Sequence, residues 1–248
     1  MAQMVARLNK GSASGIVASI TSAWAGLNKC LLFHDLSPTD LAVVGRAANR
    51  KRVAKGTTIF EQGDRATRLF VLIEGRVKAV QTTADGQQVT ARFLAPGEPF
   101  GCVAMMQAER YPVGAVAETE CELASWDAAV VVQLAHRYPQ IAINALAYVG
   151  AQLRDTQSRL REAITERAER RIAHTLLRLI RQAGRRTDEG IEIGFPVSRQ
   201  DVAEMTGSRL FTVSRTLSKW ESLGIIKSGR RRIIVRAPHR LLTVAEEG

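Results

Sequence analysis

Cysteine is scarce in this 248-residue chain: Cys30, Cys102 and Cys121 stand far apart, with no Cys-x-x-Cys pair. Zinc ribbons and ferredoxin-type clusters lack their ligand spacing, and a disulfide scaffold lacks its partners. Histidine is nearly as rare, and His34, His136, His174 and His239 are dispersed. The chain has no P-loop, no Gly-x-Ser-x-Gly and no dinucleotide fingerprint. Catalysis has little to stand on, so the chain reads as a non-enzyme. Long hydrophobic runs are missing too. Gly15-Ile-Val-Ala-Ser-Ile20 is too short and too interrupted to span a bilayer. The first residues show no clear n-region and cleavage site. The expectation is a cytoplasmic protein with a flexible arm over 1–24 and no membrane partner.

Lys plus Arg number 35 against 24 Asp plus Glu, a formal net charge of +11. Residues 151–248 hold 20 basic and 12 acidic residues, a net of +8, against 15 and 12, a net of +3, in 1–150. A polyanionic partner is implied, nucleic acid or an anionic membrane surface, and it belongs to the second half. That half contains Ser198 to Leu223, which reads as two short helices broken at Thr206-Gly207-Ser208. Ser198 is placed to cap the first, with Asp201 at the third helical position. Val202 and Met205 face inward, and Gly207 permits the positive φ of a sharp reversal. Ser208 is expected to cap the second helix, whose inward positions are Val213, Leu217 and Trp220. Its other face carries Arg209, Leu210, Ser214, Arg215 and Lys219. Together these form a helix-turn-helix suited to a major groove.

Upstream, Trp24 to Asn49 suggests a helical entry, with Ser37 as a cap and Pro38 at the first helical position. From Arg52 to Trp126, short β-branched or aromatic runs alternate with glycine and proline breakers. That spacing predicts an antiparallel sandwich or barrel, with a hairpin turn at Asp85-Gly86. A long helix follows from Tyr138 to about Ala163. Leu146, Val149, Leu153, Thr156, Leu160 and Ala163 form a heptad seam on it. Such a seam packs against a second copy or lies on the barrel. Glu166 to Arg171 reads as a solvated, charged junction, and Ile172 to Ala183 as a further helix. Gly184 to Gly190 reads as a polar loop, and Ile191-Glu-Ile as a strand. Ile225 to Val235 is a two-stranded wing with Arg230, Arg231 and Arg232 at or beside its tip, suited to phosphate contacts.

The order of parts resembles the bacterial CRP/FNR family of transcription regulators over about residues 25–238. Phe60-Glu-Gln-Gly-Asp64 with Leu69 to Val77, Pro96-Gly-Glu-Pro-Phe-Gly101, Arg171 to Leu179, Ser198 to Ala203 and Thr212 to Leu217 carry the likeness. The resemblance implies an α+β fold: an N-terminal antiparallel, jelly-roll-like β-roll sensor (25–137), a dimerisation helix (138–166), a C-terminal winged helix-turn-helix (167–240) and a tail (241–248). It implies a homodimer on double-stranded DNA carrying an inverted repeat, with RNA polymerase as a further partner. By position, the helix at about 208–223 reads bases through Leu210, Phe211, Ser214 and Arg215. An arginine at 215 suits guanine O6 and N7. Ser198, Arg199, Gln200, Arg209, Thr212, Arg230 and Arg231 fall at phosphate-contacting positions. Phe211 replaces the family's usual glutamate, so the acceptor for cytosine N4 is missing, and Leu210 or Phe211 is left to meet a thymine methyl.

The resemblance places an effector pocket at Gly101, Cys102, Arg110, Tyr111 and Thr156. The family's cyclic-AMP binders have a glutamate where Cys102 stands and an Arg-Ser pair where Tyr111-Pro112 stands. Both the ribose acceptor and the phosphate clamp are absent, so cyclic AMP is not expected. The four-cysteine iron–sulfur cluster of the oxygen-sensing branch is not expected either. Cys102 is read as a small hydrophobe or as a redox switch, His174 as structural or as a haem ligand, and no cofactor is assigned. The alternative reading of the whole chain is a cyclic-nucleotide-binding-type scaffold with non-specific nucleic-acid or membrane-surface binding.

Overall fold

The computed structural model describes residues 27–83, 88–103 and 110–246. The expected N-terminal arm and the Asp85-Gly86 turn lie outside them. Two short 3₁₀ turns, Leu27–Lys29 and Leu31–Phe33, lead into helix α1 (Pro38–Arg46). Ser37 caps α1 by accepting from the Asp40 amide at 3.2 Å, with Pro38 at the first position, as expected. Eight strands follow: β1 (Asn49–Val53), β2 (Thr58–Phe60), β3 (Arg68–Glu74), β4 (Val77–Thr82), β5 (Gln88–Leu94), β6 (Pro99–Phe100), β7 (Gly114–Ala117) and β8 (Cys121–Asp127). They form two sheets, ordered β1-β8-β3-β6 and β2-β7-β4-β5. The pairs β1–β8, β2–β7, β3–β6 and β3–β8 are antiparallel.

Strand β8 shows why the roll holds together. It is a central strand, and six consecutive residues, Cys121 to Trp126, are buried. Cys121 and Leu123 point inward to a cluster with Phe60, Leu72, Phe100 and Tyr111. Ala124 and Trp126 point outward, beneath Phe33, Val44, Val131 and Ile141. With both faces covered, the strand carries apolar residues at consecutive rather than alternate positions. Trp126 donates its indole N–H to the Val44 carbonyl at 2.9 Å, so its burial leaves no donor unsatisfied.

Strand β1 departs from the helical entry expected through Asn49. Asn-Arg-Lys-Arg-Val has almost no apolar pattern, yet it pairs with β8 along its whole length. It is an edge strand, and the buried Glu122 carboxylate on β8 takes both Arg50 and Arg52. Charge suits an edge, where it deters pairing with another chain.

Helix α2 (Ala128–Arg137) leads into the long helix α3 (Pro139–Thr165), close to the span predicted. Helix α4 (Ala168–Ala183) buries Ile172, Leu176 and Leu179. The polar loop expected at Gly184 to Gly190 is instead mostly strand. β9 (Gly184–Thr187) pairs with β10 (Gly190–Ile193). All four β9 residues are exposed, so pairing is carried by backbone and leaves no alternation to read. Helices α5 (Arg199–Thr206) and α6 (Leu210–Ser222) follow, then β11 (Ile226–Gly229) and β12 (Arg232–Val235). The sheet order here is β11-β12-β10-β9. The tail expected from 241 is, through Glu246, part of helix α7 (Pro238–Glu246). Leu241 and Ala245, one turn apart, are buried, and Arg170 of α4 donates to the Ala245 carbonyl from Nε at 3.2 Å and Nη2 at 3.1 Å. A basic side chain on the last carbonyls is a C-terminal stop that no local pattern announces. No helix among the described residues is long and apolar enough to cross a membrane.

The chain divides into two compact units. One comprises the described residues to Lys78 with Leu94–Ala151, the other Ala79–Phe93 with Gln152 onward. Residues 79–93, which the sequence assigns to the roll, fall in the second unit, while β4 and β5 keep their places in the sheet β2-β7-β4-β5. Phe93 is 1% exposed in that unit's core, its ring 4.8 Å from that of Phe195. The Thr90 amide donates to Glu204 at 2.9 Å, and Gln182 donates to the Phe93 carbonyl at 2.9 Å.

Candidate nucleic-acid interface

The helix-turn-helix is built as its sequence predicts at the first helix. Ser198 Oγ accepts from the Asp201 amide at 3.0 Å, while Asp201 Oδ2 accepts from the Ser198 amide at 2.8 Å. This closed capping box fixes where α5 starts. Gly207 ends the helix at φ 59, a left-handed value that glycine reaches without strain. Val213, Leu217 and Trp220 are buried at 0%, 0% and 1% exposure, which fixes the rotation of α6 about its axis. Trp220 donates to Glu169 Oε1 at 3.2 Å, satisfying the buried indole.

Ser208 does not cap α6. The position before the helix is Arg209, without a side-chain cap, and Ser208 Oγ instead accepts from Arg171 Nη2 at 3.3 Å. Arg171 also donates to the Thr206 carbonyl at 3.0 Å and the Glu166 carbonyl at 2.6 Å. One guanidinium thereby fastens the turn to α4. From sequence alone, Arg171 reads as part of a solvated junction. A half-buried fork of donors on three acceptors is a positioning residue, and only the folded turn brings those acceptors together.

With that frame set, α6 presents Leu210 at 46% and Phe211 at 75% exposure. Arg215 is exposed, and Ser214 and Thr212 are half-buried, all on the same helix. Arg209, Arg215 and Arg230 make no side-chain hydrogen bond or ion pair among the described residues. Other predicted contact residues are engaged internally. The Ser198 hydroxyl donates to Asp201 Oδ2 at 2.6 Å, and Gln200 donates to Glu204 at 2.9 Å. Arg199 reaches the wing, donating to Ser228 Oγ at 3.3 Å and lying 3.6 Å from Glu221. The wing turn is Arg230-Arg231, with Arg231 at φ 58 and its carbonyl accepting from the Val197 amide at 3.0 Å. Arg232, expected beside the tip, pairs with Glu192 at 2.8 Å and holds that carboxyl below its ordinary range. Lys227 does the same to Glu189.

Gly101, Cys102, Arg110 and Tyr111, placed at the effector pocket, are engaged within the first unit, and Thr156 belongs to the second. Gly101 adopts φ 70, and a Cβ there would meet the Arg68 carbonyl at 2.9 Å and the Tyr111 ring at 3.2 Å. Tyr111 is 4% exposed and stacks on Phe60 at 3.9 Å. Its hydroxyl accepts from the Arg68 amide at 3.0 Å and donates to the Arg68 carbonyl at 2.7 Å, and burial pushes its pKa up. Arg110 donates to the Gly63 carbonyl at 2.6 Å. Cys102 packs with the other core cluster and lines an apolar groove with Val132, His136 and Leu146. Thr156, exposed in the C-terminal unit, bonds back to the Gln152 carbonyl at 2.9 Å.

Cys30 and Cys121 are 0% and 1% exposed, and burial pushes the Cys30 thiol up to about 12. Cys121 donates its S–H to the Arg76 carbonyl at 3.1 Å. Iodoacetamide under native conditions is expected to modify Cys102 alone, with all three reacting in denaturant. Mass mapping of the alkylated peptides checks this, and native modification of Cys30 would contradict the buried placement.

Comparison with known proteins agrees with this architecture. Residues 50–138 match the cyclic nucleotide-binding domain family, and residues 170–244 match the Crp-like helix-turn-helix domain family. The chain is 30% identical over 204 residues to the nitrogen fixation regulation protein FixK of Azorhizobium caulinodans, covering 82% of this chain and 81% of that one. It is 29% identical over 214 residues to the cyclic AMP receptor protein of Thermus thermophilus, covering 86% of this chain and 96% of that one. The structure of FixK2 from Bradyrhizobium japonicum, 24% identical, shares the fold with a TM-score of 0.72 over 81% of this chain and 98% of its own. These relatives are regulators rather than enzymes, and the chain, with a nucleotide-binding-type roll and a Crp-like helix-turn-helix in the same order, belongs to the CRP/FNR family of DNA-binding transcription regulators.

Proposed function

We propose that the protein acts in the cytoplasm as a homodimer on an inverted-repeat duplex, with α6 of each copy in successive major grooves and RNA polymerase as a further partner. The observation that carries this is the pairing of two surfaces. Arg215 is exposed and makes no side-chain hydrogen bond or ion pair among the described residues, on a helix whose opposite face is buried. Leu146, Leu153 and Leu160 stand 75%, 57% and 61% exposed along one seam of α3. An apolar heptad seam left open on a single chain is what a second copy covers. The first-turn amides of α6, with no side-chain cap, suit a phosphate oxygen, as do Arg209 and Arg230.

Cyclic AMP does not fit the roll as effector. Tyr111, at the clamp position, offers no charge, and its hydroxyl is already used in both directions by Arg68. Cys102, at the acceptor position, is a thiol that packs with a different core cluster from Tyr111. The test is selection of duplexes from a random pool, followed by footprinting of the winner. Two protected half-sites about one helical turn apart are expected, with affinity unchanged by saturating cyclic AMP. A single protected half-site, or tightening by the nucleotide, overturns the reading.

Phe211 supplies a sharper expectation. At 75% exposure it can lie on a thymine methyl but cannot accept from cytosine N4. Phe211→Glu is expected to move the half-site preference to cytosine at the contacted position, by about 1–3 kcal/mol of discrimination. An unchanged preference in the same selection refutes the assignment.

A further inference from the structure

At one end of the roll a cleft of about 390 Å³ opens between β1, β2 and the inner face of β3 and β8. That is within the usual range for a small-molecule site, roughly 300–1,000 Å³. Strand register explains its chemistry. Asn49 lies opposite Ser125, Lys51 opposite Leu123, and Val53 opposite Cys121. Alternate residues share a face, and Val53 and Leu123 belong to the roll's inner core. Asn49 and Lys51 therefore also face inward, at the open end. The intervening Arg50 and Arg52 face outward and are neutralised by Glu122. Lys51 has no such carboxylate. Its ammonium makes no hydrogen bond or ion pair among the described residues, and the same holds for the side chains of Asn49, Thr57 and Thr58 around it. Arg68, also lining the cleft, shares its charge with the half-exposed Asp127 at 2.9 Å. The lining includes no carboxylate, while Ile59 and Phe70 form an apolar floor. None of the positions assigned to the family's nucleotide pocket lines this cleft.

We propose that the cleft binds a small organic anion. Its carboxylate or phosphate meets Lys51, with Asn49, Thr57 and Thr58 as neutral partners, and its flat apolar body lies on Phe70 and Ile59. Charge-assisted hydrogen bonds to one ammonium, in a cleft without competing acid, give the selectivity for anions. The apolar floor gives the selectivity for a ring or branched chain over inorganic ions.

The test is calorimetric titration of the full chain with phenyl phosphate, benzoate and phenol at low ionic strength. At least one of the two anions is expected to bind saturably at one site per chain. Phenol, with the same ring and no charge, is expected to bind about tenfold more weakly or worse. Lys51→Gln, at an exposed position that leaves the core intact, is expected to weaken the anion about tenfold. Arg215→Gln, in the other unit, is expected to leave it unchanged, which separates this cleft from non-specific binding at the basic helix-turn-helix. The proposal is overturned if neither anion binds, if phenol binds as well as the anions, or if Lys51→Gln has no effect.

Discussion

Leu153→Glu combined with Leu160→Glu is expected to turn the protein into a monomer and to cut its affinity for an inverted-repeat site about 10²–10⁴-fold. Both leucines are more than half exposed on the single chain, at 57% and 61%, so replacing them removes no internal packing. In a dimer each would be covered by the partner helix. Covering a leucine is worth about 1.5–3 kcal/mol, and two on each of two copies make four such side chains. Glutamates at the same seam also set like charges against each other across a low-dielectric contact. The expected DNA effect follows from effective concentration: once one recognition helix is seated, the second binds as an intramolecular event, and a monomer loses that gain. Sedimentation velocity reads the first part and gel shift the second. A double variant that still sediments as a dimer and binds as before would remove the seam from the account.

Arg215→Ala is the second large effect. A bidentate arginine–guanine contact is worth about 1–3 kcal/mol, and two half-sites make that about 2–6 kcal/mol for the dimer. Arg215 has no partner among the described residues, so its loss is expected to leave the helix intact, whereas Trp220 on the buried face could not be changed so cleanly. The discriminating readout is selectivity: specific binding should fall toward the non-specific level while the non-specific level itself changes little. Arg230→Ala, at the wing tip, should do the reverse, weakening all duplexes and lowering the salt slope by about 1. Arg215→Lys should not rescue, because an ammonium cannot make the two-pronged contact. Equal losses on specific and random duplexes would reassign Arg215 to the phosphate backbone.

Much of the candidate interface was legible because its causes are local. A cap needs a serine and a carboxylate three residues apart, and Ser198 and Asp201 supply them. The turn needs one residue able to hold positive φ, and Gly207 does so. The rotation of α6 needs apolar residues three and four apart, which Val213, Leu217 and Trp220 provide. Ser208 shows the limit of that logic. It has the right chemistry for a cap and the right place, yet Arg171, distant in sequence, claims its hydroxyl.

By itself, the sequence determined the order of parts, the helix-turn-helix, the outward Arg215 and the apolar heptad seam of α3, because each depends on periodicity or on neighbours a few residues apart. Only the tertiary structure decided that charged β1 is a strand, that a final helix follows the wing, and that Phe93 and Thr90 belong with Phe195 and Glu204. It alone decided that Cys102 and Tyr111 lie in different core clusters. Each of these rests on a partner brought in from far along the chain, such as Glu122 for Arg50 or Ala245 for Arg170. Hydrogen bonds and burial of that kind leave no repeat in the sequence, since either partner alone is compatible with many folds.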